Sequence, residues 1–376
     1  MRGLKASFLI LFLFFSSFSV FSQANTLSEQ AQVSVITCGI GNEVYSLFGH
    51  TAIRINDPAR SLDVVYNYGA FDFDTPNFVL KFSKGDLQYF VTAGTFADFR
   101  EQYVYEKRSV SEQVLNVSQE QKQKLFDKLN STLYSDERFY TYKFIDRNCT
   151  TMVVDILNKI LGKNAIVKVG NTAVTYREVL YPYFSNHFYE QLGTSIIFGK
   201  KVDEKATKIF LPSELEESLN VVKYNGKLLS NQKDPILQIE PEHPFSWWNN
   251  VFTFLILLIL LVVAKTRNLN LFYFLIVGAI GLFFSVAGLY SFHHELQYNY
   301  NILLFNPVLL LLIVFILRKK SKWIFRASVF AMACIALYVI YMLNKVHLLI
   351  VSPLIVVNLI ILIRLALANK TQKISR

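Results

Sequence analysis

The sequence predicts an α+β thiol domain followed by an all-α membrane domain of five helices. Three observations carry this expectation. An alternating strand presents His50 and Arg54 on one face, a capped amphipathic helix opens at Cys149, and apolar runs of bilayer length fill the last third of the chain. The expected organisation is a signal peptide over residues 1–24, an extracytoplasmic domain over 25–245 and a transmembrane domain over 246–376.

Arg2 and Lys5, an apolar run from Leu9 to Phe15 and small Ser-rich residues up to Ser22 or Ala24 make the signal-peptide pattern. An uncleaved anchor is the alternative, and either places the domain after it outside the cytoplasm. No cysteine lies near the expected cleavage site, so the chain is not itself read as a lipoprotein. Ala31 to Ile36 reads as a first strand, broken by Gly39 and Gly41. Val44 to Ile55 reads as a second, with His50, Ala52 and Arg54 on one face and Thr51, Ile53 and Ile55 on the other. Asn56-Asp57-Pro58 ends it with turn chemistry. Asp63 to Tyr68 is the next strand and carries Asn67 and Tyr68. A Phe-rich run from Phe71 to Phe78 comes next, read chiefly as core, with lining of an acyl-chain groove as the alternative. Leu87 to Thr92 and Ser109 to Asn116 are strand-like.

Ser118 opens a helix with Leu125, Leu129 and Leu133 stacked at four-residue spacing. The key helix runs from Cys149 to Leu161. Asn148 or Asp146 caps it, Gly162 stops it, and Met152, Val153, Ile156, Leu157 and Ile160 form its apolar stripe. Residues 165–240 read as mixed strands and loops that close the domain.

From Phe245 the chain changes solvent. The five expected spans are 247–265, 271–292, 302–318, 325–343 and 346–367, with Trp247 and Trp248 anchoring the first boundary. With residues 25–245 outside, Lys265 and Arg267, the Arg318–Arg326 cluster and the Lys370–Arg376 tail fall inside, as the positive-inside rule requires. The loop from His293 to Asn301 falls outside, where it reads as an interfacial loop or a cover for the site. Much of the net charge of +10 is therefore explained by membrane flanks, and no basic patch interleaved with aromatics points to nucleic acid.

Three cysteines, Cys38, Cys149 and Cys334, make no disulfide framework, although a Cys38–Cys149 bridge would defeat any role for a free thiol. No cysteine and histidine cluster has zinc spacing, and no metal or cofactor is expected. A cysteine in the first turn of a helix gains thiolate character from the unpaired N–H groups and the positive dipole end. A histidine beside it serves as base and later as proton donor, and the Cys149 N–H is a candidate oxyanion donor. Asn67 or Tyr68 would orient the imidazole. Arg54 reads as an ion-pair partner or as a ligand for a lipid phosphate, Asn148 as a cap and candidate substrate contact, and Asp155 as an ordinary helix carboxylate. Each of these residues also has a plainly structural reading.

Tyr45-Ser46-Leu47-Phe48-Gly49-His50-Thr51-Ala52-Ile53-Arg54, Tyr66-Asn67-Tyr68-Gly69-Ala70-Phe71-Asp72-Phe73 and Asn148-Cys149-Thr150-Thr151 together resemble the Lnb family of lipoprotein N-acyltransferases. The resemblance covers most of residues 33–215. The order of histidine before cysteine is also similar to permuted members of the NlpC/P60 (papain-like) superfamily. This resemblance implies Cys149 as nucleophile, His50 as base, a membrane phospholipid as acyl donor and a diacyl lipoprotein as acceptor. It also implies a multi-pass protein of the cytoplasmic membrane with its N-terminal domain outside. A papain-like cell-wall peptidase or amidase is the rival enzyme, and a non-catalytic envelope sensor or assembly protein is the rival of a different class.

Overall fold

The computed structural model describes residues 26–162, 164–241 and 245–370. The expected signal peptide and the basic tail beyond Lys370 lie outside the described residues. Strands β1 (Gln32–Cys38), β2 (His50–Asp57) and β3 (Leu62–Ala70) form an antiparallel core. Helix α1 (Phe78–Lys84), β4 (Gln88–Thr95), α2 (Phe96–Tyr105), β5 (Val110–Val114), α3 (Gln119–Leu133), β6 (Phe139–Thr141) and α4 (Cys149–Leu161) come after them. Helices α5 (Tyr176–Leu180), α6 (Phe188–Ile197) and α7 (Pro212–Val221) lead to the β7 (Lys223–Tyr224) and β8 (Lys227–Leu228) hairpin and to β9 (Asp234–Leu237). The main sheet has seven strands in the order β6-β4-β3-β2-β1-β5-β9.

The two-residue period of β2 sorts the sheet into two cores. Thr51, Ile53 and Ile55 point to α3 and α4, where Ile53 and Ile55 join Leu125, Leu129, Val153 and Leu157. Ala52 points the other way, to Cys38, Val65 and the Phe99 and Tyr103 rings of α2. Val153, Ile156, Leu157 and Leu161 bury the expected stripe of α4, each contributing up to about 1.5–3 kcal/mol over its exposed state.

The sheet departs from the sequence expectation in two places. Val44 to Phe48 form turns rather than the start of β2. Gly49 adopts φ +78°, and a Cβ there would lie 2.6 Å from the Cys38 carbonyl, so the extended strand begins at His50. Helices α1 and α2 are the second departure. α1 leaves Val79 and Leu80 exposed, so it lacks the core-facing period that announces a helix.

The apolar third holds α8 (Val251–Ala264), α9 (Arg267–Tyr290), α10 (Val308–Leu317), α11 (Ser321–Met342) and α12 (Leu348–Lys370). Among the described residues, α9, α11 and α12 are each long and apolar enough to cross a membrane. The third expected span is a bent pair, His294–Leu303 with Val308–Leu317 at 42°, broken where Pro307 precedes α10. The first, α8, has 14 residues and is about 21 Å long, shorter than a bilayer core.

One end of these helices meets the sheet domain. Asn299 and Asn301 donate to the Ile196 carbonyl, both at 3.0 Å, Gly199 N–H donates to the Glu295 carbonyl at 2.7 Å, and Lys345 pairs with Asp203 at 3.1 Å. Asp203 also holds the buried Arg177 and the Tyr300 hydroxyl. The 165–240 region thus does more than close a domain. Its α6 buries Leu192, and packs Phe188 and Ile196, against the apolar helices. Lys265, Arg267 and Arg318 sit at the opposite end, where Arg267 reaches the Ile316 carbonyl.

Candidate active site

The start of α4 is fixed by a dense set of backbone bonds. Asn148 Oδ1 accepts from the Thr151 N–H at 3.0 Å, while Thr151 Oγ1 accepts from the Asn148 N–H at 2.8 Å, a reciprocal capping box. The Asn148 amide donates to the carbonyls of Phe144 and Phe210, both at 2.8 Å. The turn before it is closed by paired 3.0 Å bonds between Lys143 and Arg147. Asn148 is therefore a buried cap and brace of the α4 start.

Cys149 is the first residue of the helix, with its thiol half-buried. Thr150 Oγ1 meets Thr51 Oγ1 at 3.0 Å and pins the helix to β2. His50 and Thr51 run past the last β2–β3 pair, Ala52–Asn67, so this side of the strand is open to the helix. The sulfur lies at that opening, 3.9 Å from Thr150 Oγ1, where the His50 imidazole and the Thr51 backbone N–H both act on it. On the other side of the ring, His50 Nε2 lies 3.2 Å from Asn67 Oδ1.

Burial by itself would push the Cys149 thiol up and the His50 imidazole down. The charge and hydrogen bond that each offers the other outweigh burial, with Thr51 N–H and Thr150 adding to the sulfur and Asn67 to the ring. The thiol is held below the ordinary cysteine value and the imidazole above the ordinary histidine value. Both shifts favour a thiolate–imidazolium pair.

Asn67, not Tyr68, orients the ring. Alternation sends Tyr68 to the opposite face, where it packs near Tyr140 and burial raises its hydroxyl to about 12. Arg54 shares the His50 face but spends its guanidinium on Asp63, at 2.7 and 2.8 Å, and on Glu112 at 3.0 Å, with the Phe96 ring stacked over it. These contacts are the ion pairs of its structural reading. Cys38 and Cys149 are both free thiols, so the bridge that would disable the pair is not formed.

Two further contributors lie beyond the reach of sequence pattern. The Thr51 N–H is a backbone group with no residue-type signal. Glu295, from the loop between α9 and α10, is buried and accepts the Ile145 N–H at 3.0 Å, three residues before Asn148. Glu295 is the lone acid of the apolar third, but nothing in the sequence ties it to the turn before Cys149. Among the described residues no group of three or more His, Cys, Asp or Glu side chains is placed to hold a metal ion.

Residues 18–181 match the family model described as the Lnb N-terminal periplasmic domain. Over that stretch the chain is similar to the Lnb family. No curated protein and no solved structure matches it. The matched stretch contains His50, Asn67 and Cys149 and ends at Tyr181, just past α5 and before the helices that pack on the apolar third. The family points to an enzyme of lipoprotein maturation at a membrane, with the N-terminal domain on the periplasmic side.

Proposed function

We propose that this chain is a lipoprotein N-acyltransferase that works through an acyl thioester on Cys149. The observation that carries the reading is the His50 imidazole held between the Cys149 sulfur and Asn67 at the opening of α4. With Asn67 Oδ1 accepting the Nε2 proton, the lone pair of neutral His50 lies on Nδ1, the base for a thiol. The thiolate attacks an ester carbonyl of a membrane phospholipid. The tetrahedral intermediate then expels the lysophospholipid alkoxide, which leaves with the proton of the imidazolium. The α-amine of a diacylglyceryl-cysteine lipoprotein attacks the thioester next, His50 takes its proton, and the thiolate leaves as the amide forms. The Cys149 N–H, in the first turn of the helix, is the proposed oxyanion donor, and such a donor contributes about 2.7–4 kcal/mol.

Under this reading residues 25–245 form a permuted papain-like (NlpC/P60) domain outside the cytoplasmic membrane, and residues 246–376 span it. Helix α8 and the bent pair complete the five passes. The antiparallel sheet, the cysteine at a helix start and the histidine on a preceding strand are what support the papain-like assignment. Both lipid substrates share one leaflet with the protein, so confinement replaces a three-dimensional search.

The test is mass spectrometry of lipoprotein N-termini from cells carrying the wild type or Cys149→Ala as their sole copy. The variant is expected to leave the α-amine free. Persistence of triacylated peptides in cells without a second acyltransferase would sink the proposal.

A further inference from the structure

Helix α1 exposes a run of large apolar side chains: Phe73 just before it is 73% exposed, Val79 71% and Leu80 68%, with Phe82 half-exposed. A soluble surface rarely concentrates such residues in one short segment. The segment is attached to the end of a helix long and apolar enough to cross a membrane. Phe292 N–H donates to the Lys84 carbonyl at 2.7 Å, Ser291 Oγ–H to the Ser83 and Lys84 carbonyls at 3.1 Å, and His293 Nε2 contacts the Phe82 carbonyl at 2.8 Å. These are among the last carbonyls of α1; the Phe82 carbonyl also accepts the Gly85 N–H at 3.0 Å, whereas those of Ser83 and Lys84 lie past the last internal bond. Gly85 caps α1 locally, and the chain leaving α9 completes the cap. Gly85, with φ +78°, lets His293 approach to where a Cβ would lie 2.9 Å from its ring.

That attachment fixes the depth of α1. Leu289, Tyr290 and Phe292 at the end of α9 are also exposed, so the apolar surface continues from the membrane helix onto α1. Lys84 lies over the Tyr290 and Phe292 rings, where an ammonium and aromatic rings suit the headgroup level. From α1 a row of rings runs inward. Phe82 stacks on Phe78, which meets Phe71; Phe71 lies 5.2 Å from Tyr89, and Tyr89 stacks on Tyr142 at 4.6 Å. Phe71, Phe78, Tyr142 and Cys149 all pack on the same apolar core.

We propose that α1 and the turn before it form a lipid-contacting surface, seated in the bilayer interface, that receives phospholipid acyl chains and directs them along this row toward Cys149. The seating stands on the attachment to α9, while the delivery of a donor chain rests on the acyl-transfer reading.

The experiment places a benzophenone amino acid at Val79, at Leu80 and, as a control, at the exposed Ala59 in the turn beyond the far end of β2, in the full chain in phospholipid nanodiscs. Irradiation is expected to give phospholipid adducts at Val79 and Leu80 and none above background at Ala59. The same adducts are expected in Cys149→Ala, so lipid seating is scored apart from acyl transfer. Adducts to a second protein chain in place of lipid, or no lipid adduct above the Ala59 level, would overturn the proposal. Leu80→Glu is expected to lower acyl transfer several-fold and leave Cys149 alkylation in detergent unchanged. Unaltered transfer with lipid adducts intact would confine α1 to anchoring and reject the delivery role.

Discussion

Cys38 and Cys149 are thiols at the same end of one sheet, and they behave as opposites. Cys38 is the register partner of His50 on β1, yet its side chain turns into the core beneath α2. Burial pushes its thiol up to about 12, against the lowering effects of the Tyr103 hydrogen bond and the Arg108 charge. Cys149 suffers the same kind of burial penalty and ends below the ordinary value, because His50 stands against it. Desolvation acts in one direction at both sites, so the neighbouring imidazole decides the sign. Pairing with the histidine across the strands is not enough; the sulfur must receive the imidazole's charge and hydrogen bond, as Cys149 does and Cys38 does not.

The largest contrast between the two thiols should appear in differential labelling. At pH 7 a thiol near 12 is ionised in only about one part in 10⁵. Brief iodoacetamide treatment followed by peptide mapping should therefore modify Cys149 and spare Cys38. Equal labelling, or labelling of Cys38 first, would overturn the assignment of the reactive thiol.

Replacing His50 by Ala removes both the base and the charge that lowers the Cys149 value. Acyl transfer should fall by about 10²–10⁴-fold. Burial then acts on the thiol without its main opponent, so the midpoint of the alkylation-versus-pH curve should move to higher pH. An unmoved midpoint would mean the imidazole does not set the thiolate.

Asn67→Ala tests the far side of the ring. The bond it removes contributes on the order of 1 kcal/mol, or roughly fivefold in rate. Asn67 raises the His50 value, so its loss should shift the alkaline fall of the pH–rate profile to lower pH. Tyr68→Phe is the matched control and should leave that limb in place.

The smallest effect is expected from Cys38→Ala. Its thiol fills core and contacts Tyr103, so stability should drop by about 1 kcal/mol, read from a denaturation midpoint, with the alkylation profile of Cys149 unchanged.

Local rules were enough for a good part of this protein. Alternation sorted His50, Ala52 and Arg54 from Thr51, Ile53 and Ile55, because a strand's side chains have a fixed period of two. Capping chemistry placed the start of α4 at Cys149 and its end at Gly162, because helix termini need partners that nearby residues supply. Hydropathy located the apolar third, though not that α8 is short and the next-but-one span bent.

Tertiary structure decided the rest, since it depends on which distant segments meet. Asn67 and Tyr68 are adjacent, and only the β2–β3 register shows which one faces His50. An ion pair was readable for Arg54, but only the fold names its partners, Asp63 from β3 and Glu112 from β5. The Thr51 N–H became a donor to the sulfur because the sheet pairing stops one residue beyond it. Glu295 reaches the turn before Cys149 from 150 positions away. Period and propensity act over a few residues, whereas the field around a thiol is summed over whatever the fold brings within a few ångströms of it.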